Sequence, residues 1–243
     1  MNVSIIMATY NGEKYIRNQL DSIIPYMEDE DELLISDDGS TDDTISIINE
    51  YKNIDSRIVL VNGPRKGVIN NFENAISHTT KEIILFADQD DIWLPEKLPT
   101  IKSFFANAPY KLVLHDMYME SDKEINGDRR GVQSFKIRKR RHGVIYNWLF
   151  SGYYGCCMAF TKELKNVIYP FSKYTNMYDQ WIGLIAEYMG TASFIDKPLI
   201  IHRIHGDNLS QKRAFFERLE IRYQALLAFI DGVKRIRRIK KKI

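Results

Sequence analysis

Apolar positions along the first hundred residues change period from one segment to the next. "VSIIMAT" (3–9) is apolar on both faces and reads as a strand of a parallel sheet covered on both sides. Tyr15, Ile16, Gln19, Leu20, Ile23 and Ile24 then recur at helical spacing, predicting an amphipathic helix over 13–26. "ELLIS" is a second strand, and "STDDTISIINEYK" a helix whose Ser40 and Asp43 have capping-box spacing. "RIVLVN", "GVINNFENAISH" and "EIILFA" continue as strand, helix and strand, and "PEKLPTIKSFFA" predicts a helix entered at Pro95. Strand and helix alternate in this way to about residue 107, the signature of a parallel sheet built from right-handed crossovers. Beyond it the rhythm loosens. "KLVLHDMYM" and "ASFIDKPLIIH" read as strands and "FFERLEIRYQALLAFIDGVKRI" as a long helix, with no internal repeat or low-complexity linker. The pattern is that of one α/β domain with an irregular second half.

Length and composition agree with that reading: 243 residues, 44% of them hydrophobic, can bury a substantial core. A formal charge of +2 supplies no field for nucleic acid, which is not expected as a partner. Positive charge is instead concentrated in "KIRKRRH" (136–142) and "KRIRRIKKK" (234–242). Against an anionic leaflet each such residue is worth about 1 kcal/mol, so the second run is expected to hold the protein to a membrane surface, with a solvated, frayed end the competing reading. The first could help, or could instead be a mobile loop over a ligand site. Cys156 and Cys157 are neighbours in an apolar stretch, as expected of a reduced, buried pair in a cytosolic protein. With no leader-like N-terminus and no apolar run of spanning length, the expected location is cytoplasmic, peripheral on the inner face of the cell membrane.

In an open parallel sheet, ligands bind beyond the carboxyl ends of the strands. The four strands deliver "ATYNG", "SDDGSTD", "NGPRKG" and "ADQDD" to that rim. Asn11, Gly12, Gly39 and Ser40 taken singly are ordinary turn and cap residues. Asp88, Asp90 and Asp91 are different, because neighbouring carboxylates resist joint ionisation unless a cation or a shared proton compensates. A hard divalent ion is the simplest resolution, since Mg²⁺ or Mn²⁺ favours carboxylate oxygens and commonly shares its shell with substrate phosphates. No Walker loop and no G-x-G-x-x-G follows the first strand, and Ser36 stands where an aspartyl-phosphate enzyme would need an Asp.

"VSIIMATYNGEKYI", "ISDDGSTDDT", "GVINNFENAI" and "ILFADQDDIWLPEKL", in that order and spacing, resemble the donor-binding half of glycosyltransferase family 2. These are inverting enzymes with the GT-A fold, a Rossmann-like, mostly parallel sheet flanked by helices. The resemblance is dense to about residue 98, traceable to about 210 and absent in the tail. It implies a catalytic domain over 1–212, with a nucleotide-sugar donor half (1–107) and an acceptor half (108–212); the tail's own residues predict a basic amphipathic helix over 213–243. Thr9 and Tyr10 would line the base pocket, Asp38 would accept from the base imide, and Gly67 and Asn71 would lie along the donor. Asp88 would face the sugar or ribose while Asp90 ligates Mn²⁺ or Mg²⁺, with Asp88 and His205 completing the metal set and Asp91 in support. Arg203 would meet the diphosphate.

The acceptor side carries the second half of the chemistry. The resemblance implies a carboxylate base at a helix N-terminus, and "MYDQWIGLIAEYMG" offers Asp179, with Glu187 the alternative deeper in the helix and an N-cap role the competing reading of Asp179. Where the family often has two acidic residues together, this chain has Tyr178 before Asp179. Trp93, Trp148, Tyr153, Gly155 and Trp181 are the acceptor-side candidates: Tyr153 or Trp148 would stack on acceptor sugar and Gly155 would allow close backbone approach, with a place in the core the competing reading of the aromatics. The implied activity is transfer of a hexosyl or rhamnosyl group from a UDP- or dTDP-linked donor to a glycan or lipid-linked oligosaccharide in cell-surface polysaccharide synthesis. The competing class is an inactive nucleotide-binding scaffold for another glycosyltransferase.

Overall fold

A computed structural model describes residues 1–121, 133–135, 143–205 and 215–241; the basic run at 136–142 and the last two residues lie outside them. β1 (Val3–Thr9), α1 (Ile16–Ile23), β2 (Glu32–Asp37), α2 (Thr44–Ile54), β3 (Ile58–Asn62), α3 (Val68–His78) and β4 (Ile83–Asp88) alternate as the apolar pattern predicts. β1 lies between β2 and β4, parallel to both. Its register sets Thr9 opposite Asp37 and Ala8 opposite Asp88, so strands ending flush deliver their acidic residues to one rim.

β5 (Ile92–Trp93) and α4 (Lys97–Asn107) follow, then β6 (Leu112–Ser121), β7 (Gln133–Phe135), α5 (Val144–Leu149), β8 (Met158–Thr161), α6 (Lys162–Ile168), α7 (Tyr178–Tyr188), β9 (Ala192–Ile204) and α8 (Phe215–Lys240). The strand order is β3-β2-β1-β4-β8-β6-β9-β5, with β7 paired to β6. Parallel pairing stops at β8, which runs antiparallel to both β4 and β6. β9 runs parallel to β6 to its end, and its other edge pairs antiparallel with β5, setting Ile201 opposite Ile92.

Several boundaries differ from the expectation, each for a local reason. The helix expected over 13–26 spans only Ile16–Ile23, because Gly12's carbonyl takes the Tyr15 and Ile16 amides in a preceding turn and Pro25 turns the end into a 3-10 segment, Ile24–Tyr26. Ser40 does not cap α2: its hydroxyl donates to Asp37 at 2.6 Å, and the helix starts at Thr44 after an Asp43 with no side-chain cap bond. α4 begins at Lys97 rather than at Pro95. α8 continues past Ile236 and takes the basic run into the helix as far as Lys240.

α8 is packed onto the domain. A Cβ at Gly232 would overlap Ile185 and approach the Trp181 ring to 2.8 Å, so the missing side chain is what lets α8 sit against α7. Trp148 donates its indole N–H to the Arg222 carbonyl at 2.8 Å, and the Arg235 guanidinium lies 5.7 Å from the centre of the Trp181 ring. Gly232→Val is expected to cost about 1–3 kcal/mol through overpacking at this contact. Thermal unfolding and limited proteolysis within α8 would register that loss; an unchanged melting temperature would mean α8 is not held by this seam.

Candidate active site

The nucleotide side of the rim is a set of loops laced by side chains. Thr9 donates to Asp37 Oδ2 at 2.8 Å, and Asp37 Oδ1 accepts the amides of Gly39 (3.0 Å) and Ser40 (2.8 Å). Asp38 accepts the Arg65 amide at 2.6 Å and the Gly67 amide at 2.7 Å. Its carboxylate thus orders the loop after β3, with Oδ1 also accepting the Lys66 amide at 3.3 Å, while Oδ2 keeps a second lone pair for a further donor. Gly67 has φ 84°, a left-handed value that favours glycine, and stands exposed at the start of α3. Asn71 is a correction to the expectation. Its side chain is buried beneath the rim, donating to the Ser36 carbonyl at 2.7 Å and accepting the Ser36 hydroxyl at 2.6 Å, so it braces β2 instead of lining the donor.

Gln89, the middle residue of the D-x-D, escaped the sequence reading. Its amide closes a pair of bonds with the Tyr10 backbone, accepting the N–H at 3.0 Å and donating to the carbonyl at 3.1 Å, and a Cβ on Gly12 would collide with it. The loops after β1 and β4 are therefore clamped together, with the Tyr10 ring exposed at the edge. Asn11 and Ser40 act as turn residues, the Asn11 amide donating to Ser40 Oγ at 2.9 Å.

The pairing of β5 with β9 brings basic groups onto the acidic cluster. His205 Nε2 lies 2.7 Å from Asp90 Oδ2, and His202 Nδ1 lies 2.7 Å from the fully buried Asp91 Oδ1. Tyr15, read from the sequence only as an apolar helix position, is the platform beneath them. The His205 ring stacks on it at 4.6 Å, and the Arg203 guanidinium lies 5.1 Å from its centre. Lys97 was also missed. It is buried behind the cluster, 3.7 Å from the centre of the Trp93 ring, and donates to the Cys156 carbonyl at 2.9 Å.

Charge balance follows from this geometry. Burial, then the charges of Asp91 and Asp90, push the Asp88 carboxyl up to about 8. Asp90 is raised by burial and Asp91, with His205 opposing. Burial alone would lower His202, but its bonds to Asp91 and Cys156 outweigh that and push it up to about 12. Burial draws Lys97 down to about 8. Asp91 is paired with His202, which leaves Asp88 and Asp90 as the carboxylates at the open rim.

Those two carboxylates and the His205 imidazole are a donor set suited to Mn²⁺ or Mg²⁺. The fit is supported by the chain itself. Asp88's carboxylate has no hydrogen bond among the described residues and retains some exposure, and Asp90 and His205 already meet. Asp91, Cys156 and His202 also bring donor atoms within 4.8 Å of one another. There, however, the Cys157 bond and burial hold the Cys156 thiol protonated, and both cysteines are free and buried.

On the acceptor side Asp179 is the second residue of α7, not its N-cap, which is Met177. Its Oδ1 accepts the Gln180 amide at 2.7 Å. Tyr178 beside it packs on Phe72 and Phe86, with ring centres 4.8 and 4.9 Å away. Burial, then Asp88 and Asp179, hold its phenol well above the usual range, so one hydroxyl feels both the donor-side and acceptor-side carboxylates. Glu187 lies two turns along α7 and accepts the Gly143 amide at 3.2 Å.

The expected acceptor platforms are corrected by packing. Trp93, Tyr153 and Trp181 are 3%, 3% and 2% exposed and present no ring face to a sugar. A Cβ on Gly183 would lie 2.5 Å from the Tyr153 ring, and Trp181 donates to the Ile168 carbonyl at 3.2 Å. Trp148 is half-buried with its indole N–H committed to α8. Gly155 makes room for the Tyr178 hydroxyl and not for a ligand.

The raised Asp88 carboxyl sets a pH dependence. Its unfolded value is about 3.9, so the stability contributed by its proton in the fold is complete below that value and is lost as pH rises through about 8. Asp88→Asn removes the penalty. In chelator, its melting temperature should exceed that of the parent by a margin that widens from about pH 5 to about pH 8. A constant or absent margin in scanning calorimetry would mean that Lys97 and the histidines already offset Asp88.

Comparison with known proteins matches this geometry. The profile described as Glycosyl transferase family 2 covers residues 4–168. The UDP-Glc:alpha-D-GlcNAc-diphosphoundecaprenol beta-1,3-glucosyltransferase WfgD of Escherichia coli is 38% identical over 236 residues, 95% of this chain and 87% of its own. The uncharacterized glycosyltransferase alr2836 of Nostoc sp. is 27% identical over 217 residues, 86% of this chain, and the match spans only 66% of that protein's length. Among solved structures, S. aureus TarS 1-349 in complex with UDP-GlcNAc superposes with a TM-score of 0.68 at 23% identity, covering 93% of this chain and 67% of that one. Glucosyl-3-phosphoglycerate synthase from Mycobacterium tuberculosis, in complex with Mn²⁺, UDP and phosphoglyceric acid, gives 0.59 at 19% identity, covering 95% and 78%. At such identities the structures speak for the GT-A fold alone. With the profile matching more than half its residues and a 38% identical relative along nearly all its length, this chain belongs to glycosyltransferase family 2.

Proposed function

We propose that this chain is an inverting, metal-dependent glycosyltransferase of cell-surface polysaccharide synthesis, moving a hexosyl or rhamnosyl group from a UDP- or dTDP-linked donor to a hydroxyl of a lipid-linked oligosaccharide or glycan. One observation carries the reading: at the rim where β4 ends, Asp90 meets His205 at 2.7 Å beside Asp88, a donor set suited to a divalent ion shared with a diphosphate. The 38% identical relative is named for transfer to a diphosphoundecaprenol-linked sugar, which supports a lipid-diphosphate acceptor here.

Each residue then has a task. Thr9, Tyr10 and Asp38 bound the base pocket, and Gly67 gives the donor an unobstructed backbone. Asp88 orients the sugar or ribose, while Asp90 and His205 would hold Mn²⁺ or Mg²⁺. When bound, that ion supplies Lewis-acid neutralisation of the diphosphate leaving group. Arg203, fixed on Tyr15, adds positive charge on the same side. Asp179 takes the proton of the acceptor hydroxyl on the face opposite the leaving group. Among the described residues no helix is long and apolar enough to cross a membrane. Access to a lipid-linked acceptor would come from peripheral attachment at the cytoplasmic face through the basic end of α8.

A panel of nucleotide sugars screened for Mn²⁺-dependent turnover tests the reading. Asp179→Asn should lower the transfer rate by about 10²–10⁴-fold while the UDP-induced melting shift persists. Asp90→Asn should abolish the Mn²⁺-dependent part of that shift. Transfer at the parental rate by Asp179→Asn would remove it as the base, and failure to consume any sugar nucleotide would favour a nucleotide-binding scaffold.

A further inference from the structure

Helix α8 is apolar on two opposite faces. Ala225, Ala228, Gly232 and Ile236 form the inner face and are buried against the domain. On the outer face Leu219, Tyr223, Leu226 and Ile230 are 44%, 59%, 36% and 41% exposed. Their spacing of i, i+4, i+7 and i+11 places them, at about 100° per residue, within a sector about 60° wide. Lys234, Arg237 and Lys241 extend the same line toward the C-terminus and are exposed, while Glu217, Glu220 and Asp231 fall off it. A helix with its core stripe already buried has no reason within the domain to carry a second one, and contiguous exposed apolar surface marks a contact site.

We propose that this outer stripe is a membrane-insertion face, with Leu219, Tyr223, Leu226 and Ile230 entering the headgroup–acyl boundary of an anionic leaflet while the following basic residues bind its phosphates. The inference rests on the reading of a lipid-linked acceptor. Charge selects the occupant. Apolar turns followed on the same face by lysine and arginine match an interfacial helix lying flat on a negatively charged bilayer. A parallel second copy would instead stack Lys234 and Arg237 on their own counterparts. Because α7 packs on the inner side of α8, seating the stripe in lipid sets the acceptor half of the domain, with Asp179 at the start of α7, next to the membrane surface.

Flotation of the full chain with phosphatidylglycerol–phosphatidylcholine vesicles and with phosphatidylcholine alone tests this. The parent should float with the anionic vesicles, and Leu226→Glu/Ile230→Glu should reduce partitioning at least about tenfold, with the UDP and Mn²⁺ melting shift unchanged as proof of folding. Tyr223→Trp should show a blue-shifted emission difference when vesicles are added, which purely electrostatic attachment would not produce. The proposal is overturned if the parent does not float, if the double variant floats equally, if the emission of the Tyr223→Trp variant does not move, or if light scattering shows that the double substitution merely separates a dimer. Transfer to a water-soluble acceptor without vesicles keeps the two readings apart. Turnover without flotation sinks only the insertion face, and flotation without turnover sinks only the enzymatic assignment.

Discussion

The site depends on two residues of backbone pairing, Ile92 and Trp93 of β5 against Ile201 and Ile200 of β9. That short antiparallel contact carries the end of a strand from the second half of the chain back to the mouth of β4. Without it Asp90 and Asp91 would lie at the end of a parallel sheet with their charges uncompensated. With it, His202 and His205 arrive 2.7 Å from the two carboxylates, and Arg203 between them is pinned on Tyr15. β5 is itself fastened to α1, where Ser22 accepts the Trp93 amide at 3.0 Å, so the first helix, the acidic loop and the last strand form one unit.

The charge in that unit is graded with depth. Asp91 is fully buried and paired with a protonated imidazole, with Lys97 behind it, whereas Asp88 and Asp90 remain nearer the opening. Removing water from a carboxylate is costly unless a partner replaces it, so the buried Asp91 is held through Oδ1 by His202 while the less buried Asp88 and Asp90 are left able to exchange partners. On the proposed reading, a divalent ion and a diphosphate would meet this rim without unfolding the pairs beneath it.

Aromatic residues divide the labour differently from their number in the sequence. Trp93, Trp148, Tyr153 and Trp181 are framework: they cushion Lys97, fill the space over Gly183 and fasten α8 to the domain. Tyr15, at the start of α1, is the ring on which His205 stacks and beside which the Arg203 guanidinium lies, while Tyr178 in α7 packs on Phe72 and Phe86. α8 belongs to the same construction, since the seam at Gly232 fixes its rotation and thereby decides which of its apolar faces is left outward.

Local physics made the first half of the fold readable. Period-two and period-3.6 repeats survive in a linear string because neighbouring residues on one face share one environment, and so β1 to β4 and their helices lie close to where the pattern puts them. The rim loops were legible for the same reason, since strands of a parallel sheet end together. In the second half β6, β9 and α8 were legible from the same repeats, but β8 and the two-residue β5 were not, because an inserted antiparallel strand and so short a strand owe their form to partners distant in sequence. Likewise a letter states that an aromatic or an aspartate is present but not what it faces. The sequence by itself determined the sheet, the acidic rim and Asp179 as a base candidate. Only the tertiary structure decided that Asp91 is spent on His202, that Asn71 and the tryptophans are braces and that α8 carries a second apolar face, because burial and pairing are properties of residues brought together from across the chain.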